Sequence, residues 1–288
     1  MALHVKLGVS TWLWTSPFKT DEAAALFFKI KKFGYEVVEI AVEDPTLIDT
    51  REIKNQLKAN GLSAVICGAF GPTRDLTSED ESLRKTGLSY IEDCLEIAGE
   101  LGSDLFAGPM YSAVGKARLV SSEQKKIEWE RAVQGIRTTA GLARKHGLKL
   151  ALEPLNRFES DLINTVEDLL SLIRDINEAA VGIGLDMFHM NIEEPDPEQA
   201  IIDAGDKLLH MQVSENFRGT PGTGSAPWEA YYAGLSEIGY KGIVSIESFA
   251  PANKELAAAV CIWKNLAADQ DSFARDGNRF LKHWLKGV

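Results

Sequence analysis

The sequence predicts a single (β/α)₈ barrel over residues 1–288, and three observations lead to this prediction. Short apolar runs bounded by glycine, proline or polar residues recur along the chain, as in the buried strands of a parallel sheet. Each run is followed by a segment that reads as a helix. Eight such units follow one another at a period of about 35 residues, without a linker or a shared repeat motif, which favours a closed barrel over a solenoid.

Helix-stop and capping signals delimit the first four units. Gly34 and Gly61 each end a predicted helix, Thr46 or Asp44 caps the second one, and Ser121 with Gln124 forms a capping box. In each unit the strand comes first and the helix second. The predicted strand–helix pairs are 5–9 and 21–33, 35–40 and 46–59, 62–68 and 78–101, and 104–108 and 121–146.

The second half of the chain repeats the same alternation. A Gly/Pro-rich loop from Gly219 to Pro227 follows the seventh strand, and a final helix over 272–286 presents an apolar face for packing on the barrel. The predicted strand–helix pairs, strand first, are 148–152 and 165–176, 181–185 and a helix after Pro195, 208–211 and 228–239, and 242–246 and 253–268.

Composition and charge restrict the class of partner. The net charge of −11 argues against nucleic acid and anionic membranes, which require basic surfaces. Three widely spaced cysteines do not indicate a disulfide framework, and we expect Cys67 to be a small buried hydrophobic residue. We see no secretory signal and no apolar run of membrane-spanning length, so we expect a cytoplasmic protein.

An oxygen donor closes each of the last four predicted strands. Glu153, Asp186, Gln212 and Glu247 follow directly on the apolar runs, at the barrel edge where active sites of this fold lie. One such residue alone is commonly a helix cap, but four in successive units favour a site for a hard divalent cation. Mg²⁺, Mn²⁺ and Co²⁺ accept such ligands, whereas zinc usually takes more nitrogen or sulfur.

Such a site suits proton transfer next to a carbonyl. A cation chelated by a carbonyl and a neighbouring hydroxyl acidifies the carbon between them and stabilises an enediolate. A carboxylate on each face of the substrate removes the proton and returns it from the opposite side. Glu153 and Glu247 are the candidates for these two bases as well as for metal ligands.

Loop residues just past the strand ends are candidates for substrate binding. We expect Glu159, His189 and Arg218 to contact substrate oxygens, because each follows a predicted ligand closely. Arg157 is expected to form a structural ion pair instead, with Glu159 as a possible partner. In the first loop, Trp12 and Trp14 can either pack under the next helix or form an aromatic wall for a ligand. Trp14 is the predicted wall, since it lies nearer the loop tip.

These motifs resemble the ketose 3-epimerases, the family of the D-tagatose, D-psicose (allulose) and L-ribulose 3-epimerases among the sugar isomerase/epimerase barrels. The similarity is close from the fourth strand to the eighth and loose in the first third of the chain. The stretches that carry it are residues 108–112 (GPMYS), 153–159 (EPLNRFE) with 164–165 (NT), 185–194 (LDMFHMNIEE), and 214–218 (SENFR).

The resemblance implies one divalent cation per subunit, with Mn²⁺ expected and Co²⁺ or Mg²⁺ as alternatives, held by the four strand-end residues. It implies that Glu153 and Glu247 exchange the C3 proton of a free ketose through a cis-enediolate. It further implies that Glu159, His189 and Arg218 bind the O1–O2 end of the sugar, and that the protein forms a homodimer or homotetramer.

The seventh strand departs from the family pattern. By its spacing to Arg218, the family's metal-ligating histidine falls on Gln212 rather than on His210. Alternation along a strand directs both side chains to one face, so His210 can lie one layer deeper. A glutamine oxygen can ligate a hard cation, and the related hydroxypyruvate isomerases carry glutamine at this place. The metal preference and the substrate therefore remain open.

Other functions use similar residues. An aldose–ketose isomerase, a hydroxypyruvate-type isomerase or an inosose dehydratase needs the same metal site and the same enediolate chemistry. These enzymes differ in the atom that receives the proton in the second transfer. An AP-endonuclease-like DNA-repair enzyme needs a histidine cluster for zinc and a basic face, which five histidines and an acidic chain do not favour. A sugar-binding barrel without turnover is disfavoured because both Glu153 and Glu247 are present.

Overall fold

The computed structural model describes residues 3–251 and 254–287. The strands are β1 (Lys6–Ser10), β2 (Val37–Val42), β3 (Ser63–Gly68), β4 (Leu105–Gly108), β5 (Lys149–Leu152), β6 (Val181–Asp186), β7 (Leu208–Val213) and β8 (Ile243–Ile246). The α-helices are α1 (Ala23–Phe33), α2 (Thr50–Asn60), α3 (Glu81–Leu101), α4 (Ser122–Lys145), α5 (Val166–Ile176), α6 (Met187–Glu193), α7 (Pro197–Ala204), α8 (Trp228–Glu237), α9 (Lys254–Ala259) and α10 (Gln270–Trp284).

The strands form a closed parallel barrel in chain order. Each strand pairs with the next one, and β8 pairs with β1, from Lys6 opposite Ile243 to Val9 opposite Ile246. Helices between successive strands surround this barrel, and the C-terminal α10 packs against α1 and β1. The predicted (β/α)₈ barrel with an extra C-terminal helix is therefore confirmed. Within the described residues no helix is both long and apolar enough to cross a membrane.

Inward-pointing side chains change from apolar to polar along the barrel axis. A cluster of small and branched residues, which includes Val37, Val65 and Ala151, fills the end where the strands begin. Further along the strands, Glu39, His210 and Gln212 are buried polar side chains that contact one another. A register shift between Ile183 and Gly184 adds one residue to β7. After this shift, Gln212 of β7 lies opposite Asp186 at the end of β6, and its side chain contacts Glu247 just past β8.

Several element boundaries differ from the predicted ones. Strand β2 starts two residues later than predicted, because the backbone N–H of Tyr35 donates to the Ile30 carbonyl in the turn that ends α1. Helix α2 begins after Asp49, which caps it, while Asp44 caps a separate 3₁₀ turn. The helix predicted over 253–268 is only α9, and its predicted start at Asn253 lies outside the described residues.

Capping explains where the central helices begin. Thr165 and Asp168 exchange hydrogen bonds at the start of α5, which satisfies two backbone N–H groups of its first turn. Ser121 caps α4 by accepting from the Gln124 N–H, as predicted. The predicted return bond from Gln124 is absent among the described contacts, because this side chain donates to Glu128 instead.

Candidate active site

The four predicted metal ligands converge at the carboxyl end of the barrel. Glu153 and Glu247 directly follow β5 and β8, Asp186 ends β6, and Gln212 lies opposite Asp186 in β7. All four are at most 6% exposed. The amide nitrogen of Gln212 donates to Glu247 Oε1 at 2.8 Å, so these two side chains are in direct contact. The barrel therefore gathers residues that are far apart in the sequence into one buried cluster.

Within the described residues, two buried groups have the composition of a cation site. Glu153, Asp186 and His189 bring their ligand atoms within 4.8 Å of one another, and Glu39, Cys67 and Glu247 do the same. The guanidinium of Arg218 joins the groups, since its Nη1 hydrogen-bonds to Asp186 and lies 3.0 Å from Glu247 Oε2. The buried cluster at this end of the barrel therefore consists of Glu39, Cys67, Glu153, Asp186, His189, Gln212, Arg218 and Glu247.

The electrostatics of the cluster suit a bound cation. Burial, with further increases from neighbouring carboxylates, raises the pKa of Glu153 and of Glu247 well above the ordinary range. Burial also raises the pKa of Asp186, but the charge of Arg218, together with His189 and the hydrogen bond from the Phe188 N–H, outweighs burial and the net pKa falls. One guanidinium thus faces several buried carboxylates whose charges cost free energy unless they are neutralised. The oxygen-rich donor set fits a hard divalent ion.

His189 is held so that it directs a donor into the cluster. Its Nδ1 accepts the backbone N–H of Asn156 at 3.1 Å, which leaves Nε2 as the protonated ring nitrogen. Nε2 lies 3.6 Å from Glu153 Oε1 and 3.8 Å from Asp186 Oδ2. Burial lowers the pKa of His189, so the neutral ring is favoured. A neutral imidazole with Nε2–H inward can donate to an oxygen of a ligand.

Arg218 reaches the cluster from a constrained turn after β7. Its backbone has φ +62°, a left-handed conformation that is uncommon for residues other than glycine. The turn is closed by hydrogen bonds between the backbones of Glu215 and Gly219 and of Arg218 and Glu215. The buried carboxylate of Glu215 accepts from Trp228 Nε1 and from loop N–H groups. The guanidinium then stacks 4.3 Å from the Phe188 ring centroid.

The loop after β5 places Glu159 beside the cluster and Arg157 away from it. Asn156 Nδ2 donates to Glu159 Oε1 at 2.8 Å. Glu159 adds to the raised pKa of Glu153, after the larger effects of burial and Asp186. Arg157 forms a two-pronged ion pair with Glu193, at 2.9 and 3.0 Å. The structural ion pair predicted for Arg157 is therefore present, and its partner is Glu193 rather than the alternative Glu159.

The structure does not bring Trp14 to the other predicted residues. Its indole Nε1 donates to Asp271 at 2.8 Å, in α10 on the outside of the barrel. Trp12 instead packs with its ring 5.5 Å from Phe249 and shares an apolar cluster with Cys67. Because the Cys67 sulfur lies beside Glu247, this cluster borders the site. The geometry favours Trp12 over Trp14 as the aromatic wall.

Three residues of the site were not predicted from the sequence. Glu39 lies fully buried in β2 and contacts both His210 and Gln212. The signal was an acidic residue inside an otherwise apolar strand, VVEIAV. Asn156 orients His189 and carried no such signal. Cys67 is buried as expected, and its position beside two carboxylates follows from the barrel alone.

Comparisons with known proteins agree with this site and fold. The xylose isomerase-like TIM barrel family matches residues 27–266. A probable ketose 3-epimerase of Synechocystis sp. is 32% identical over 96% of both chains. The ketose 3-epimerase of Arthrobacter globiformis is 30% identical over 99% of this chain and 98% of its own. A crystal structure of D-allulose 3-epimerase from Methylomonas sp. in complex with D-allulose has a TM-score of 0.91 at 27% identity, covering 98% of this chain and 99% of that one. The chain therefore belongs to the xylose isomerase-like TIM barrel family and, within it, to the ketose 3-epimerase enzymes.

Proposed function

We propose that this enzyme epimerises a free ketohexose or ketopentose at C3. The observation that carries the proposal is the pair of buried carboxyl groups at the ends of β5 and β8, Glu153 and Glu247, whose pKa values are both raised by burial. Strands β5 and β8 are three steps apart in a closed ring of eight, so the two groups approach a bound molecule from different sides. This is the arrangement that inversion at one carbon requires.

Each glutamate is suited to holding and moving a proton. A raised pKa brings a carboxyl group closer to the operating pH, where it serves both as acid and as base. In one direction Glu153 takes the C3 proton and Glu247 supplies a proton to the opposite face of the enediolate. In the other direction the roles exchange. Arg218 contacts Glu247 and limits how far the latter can turn from the substrate.

The proposed cation ligands are Glu153, Asp186, Gln212 and Glu247. When bound, a divalent ion of this kind polarises the substrate carbonyl and lowers the pKa of the C–H bond beside it. Mn²⁺ is the proposed ion, with Co²⁺ and Mg²⁺ as the alternatives, because the ligand atoms are mostly oxygens. Gln212 contributes its amide oxygen in place of the family's histidine.

Three polar residues are proposed to orient the sugar. His189 donates from Nε2, Arg218 donates from its guanidinium, and Glu159 accepts from a hydroxyl at the O1–O2 end. Trp12 takes the place predicted for Trp14 as the aromatic wall. We further propose that residues 1–288 form one domain and that the protein assembles as a homodimer or homotetramer. We also propose a cytoplasmic location, which the free cysteines Cys67, Cys94 and Cys261 support.

Proton exchange tests the proposal directly. The Mn²⁺-loaded protein is incubated in D₂O with a panel of ketohexoses and ketopentoses, and C3 is followed by proton NMR. We expect a C3 epimer that carries deuterium, and no such epimer should form after the metal has been removed by chelation. Exchange at C1 with appearance of an aldose would instead identify an aldose–ketose isomerase. No exchange in any sugar, with bound metal verified, would contradict the epimerase proposal.

A further inference from the structure

Glu39 lies beneath the proposed metal site and uses both carboxylate oxygens. Oε2 accepts from His210 Nε2 at 2.6 Å, and Oε1 accepts from Gln212 Nε2 at 2.9 Å. All three side chains are nearly or fully buried. Gln212 Nε2 also donates to Glu247 Oε1 at 2.8 Å. Glu39 therefore contacts a proposed ligand from the side that faces the barrel interior.

A glutamine ligand has an orientation problem that histidine and carboxylates lack. The two ends of its amide have nearly the same shape, but only the oxygen can bind a cation, because the NH₂ group is a donor. Two carboxylate oxygens accept from Nε2 of Gln212, and an amide oxygen in that place would face two acceptors without a proton between them. The amide oxygen of Gln212 is therefore turned away from Glu39 and from Glu247 Oε1, toward the side of the site where neither of these oxygens lies.

His210 holds Glu39 in the position that this arrangement needs. Its Nε2 binds Glu39, and its Nδ1 has no hydrogen-bond partner among the described residues. Among the residues that the structure describes, Glu39 is therefore the one hydrogen-bond partner of the ring, and Gly184 lies opposite His210 in the neighbouring strand. The chain of contacts runs from His210 through Glu39 to Gln212 and Glu247.

We propose that Glu39 is a positioning residue that presents the amide oxygen of Gln212 to the divalent cation. The inference rests on the proposed metal site and concerns how this chain keeps that site with glutamine in place of histidine. Outer partners of this kind orient metal ligands and are commonly worth 10- to 100-fold in metal affinity. Glu39 itself is not a ligand in this arrangement, because both its oxygens are occupied by N–H donors.

A double-mutant cycle separates orientation from simple charge. Dissociation constants for Mn²⁺ are measured by electron paramagnetic resonance of the free ion in the unmodified protein, Glu39→Gln, Gln212→Ala and the double variant. We expect Glu39→Gln to weaken Mn²⁺ binding about 10- to 100-fold when Gln212 is present. In the Gln212→Ala background, Glu39→Gln should weaken Mn²⁺ binding by a clearly smaller factor, because only the loss of the Glu39 charge then affects the ion. An equal factor in both backgrounds would overturn the proposal.

Glu39→Asp provides a second test that keeps the charge. The shorter side chain draws the carboxylate back from Gln212, so Mn²⁺ affinity should still fall by about tenfold. An unchanged affinity in a folded Glu39→Asp protein would overturn the positioning role, and this variant also serves if Glu39→Gln fails to fold. Glu128→Gln, which removes a buried carboxylate of α4, is the matched control and should bind Mn²⁺ normally.

The two proposals fail in different ways. If the unmodified protein does not bind Mn²⁺, the metal site of the proposed function is contradicted, and Glu39 loses its role with it. If the unmodified protein binds Mn²⁺ and epimerises ketoses while the cycle shows no coupling, only the role of Glu39 is overturned. Metal affinity is read without turnover, so the result does not depend on which ketose is the substrate.

Discussion

Replacing Glu247 with glutamine is expected to separate proton exchange from epimerisation. Inversion at C3 needs one group that removes a proton on one face and another that supplies a proton on the other face. Glu247→Gln leaves Glu153 as the one titratable carboxyl group of this pair. The variant should therefore exchange the C3 proton of one epimer with solvent and form almost none of the other epimer. Glu153→Gln should exchange the C3 proton of the opposite epimer.

The contacts of Glu247 set the size of the effect. Its Oε2 lies 3.0 Å from Arg218 Nη1, and its Oε1 accepts from Gln212 Nε2 at 2.8 Å. Glutamine has one acceptor oxygen, so one of these donors loses its partner, at about 1.5–3 kcal/mol. Relief of a buried charge offsets part of this cost, so the variant should fold. Loss of a positioned base slows epimerisation about 10²- to 10⁴-fold.

The assay follows each epimer separately in D₂O by proton NMR, at equal metal occupancy verified by elemental analysis. Circular dichroism compares the folded state of each variant with that of the unmodified enzyme. Glu128→Gln serves again as the control and should epimerise at the normal rate. Epimer formation by Glu247→Gln within tenfold of the unmodified rate would refute the two-base reasoning, as would exchange from both epimers in the same variant.

Three further predictions concern Gln212, Trp12 and Glu128. Gln212→His should retain metal and shift preference toward Co²⁺ or Zn²⁺, since imidazole suits these ions better than an amide does; an unchanged order of affinities in a competition titration would argue that Gln212 is not a ligand. Trp12→Leu should raise KM for the ketose about tenfold while Trp14→Leu leaves KM unchanged, and the reverse result in steady-state kinetics would restore Trp14 as the aromatic wall. Burial raises the pKa of Glu128, but its hydrogen bonds with Arg118 and Gln124 and the charges of Lys116 and Arg118 together outweigh burial, so the net pKa lies below the ordinary 4.5; Glu128→Gln should therefore lose about 1.5 kcal/mol of unfolding free energy at pH 7, where Glu128 is ionised. Because the stabilisation by an acid with lowered pKa is lost as the pH falls through its folded-state value, denaturant titrations near pH 3 should show a smaller difference, and an equal difference at both pH values would contradict this assignment.

The strand-end residues were predictable because their signal is local. An apolar run that stops at an acid identifies both a buried strand and the residue above its carboxyl end, and this pattern located Glu153, Asp186 and Glu247. Gln212 was found in the same way, as the oxygen donor that closes the seventh apolar run, and its spacing to Arg218 matched it to the family's histidine. The alternation along β7 predicted that His210 can lie one layer deeper. Its pairing with Gly184, below the Asp186–Gln212 pair, confirms that prediction.

Other features depend on partners that no local pattern contains. The hydroxyl of Tyr35 donates to the carbonyl of Ala274, far along the chain, and so joins the turn before β2 to the last helix. The choice between Trp12 and Trp14 depends on Phe249 and Asp271, which only closure of the barrel brings near them.

The sequence by itself determined the barrel, the order of its units and the residues at its strand ends, because strand and helix periods and capping signals act over a few residues. Only the tertiary structure decided how these side chains face one another. Arg218 bridges Asp186 and Glu247, and Glu39 orients Gln212 from within the barrel. These contacts join residues from different strands, and their geometry arises only when the ring of strands closes and excludes water from the carboxylates.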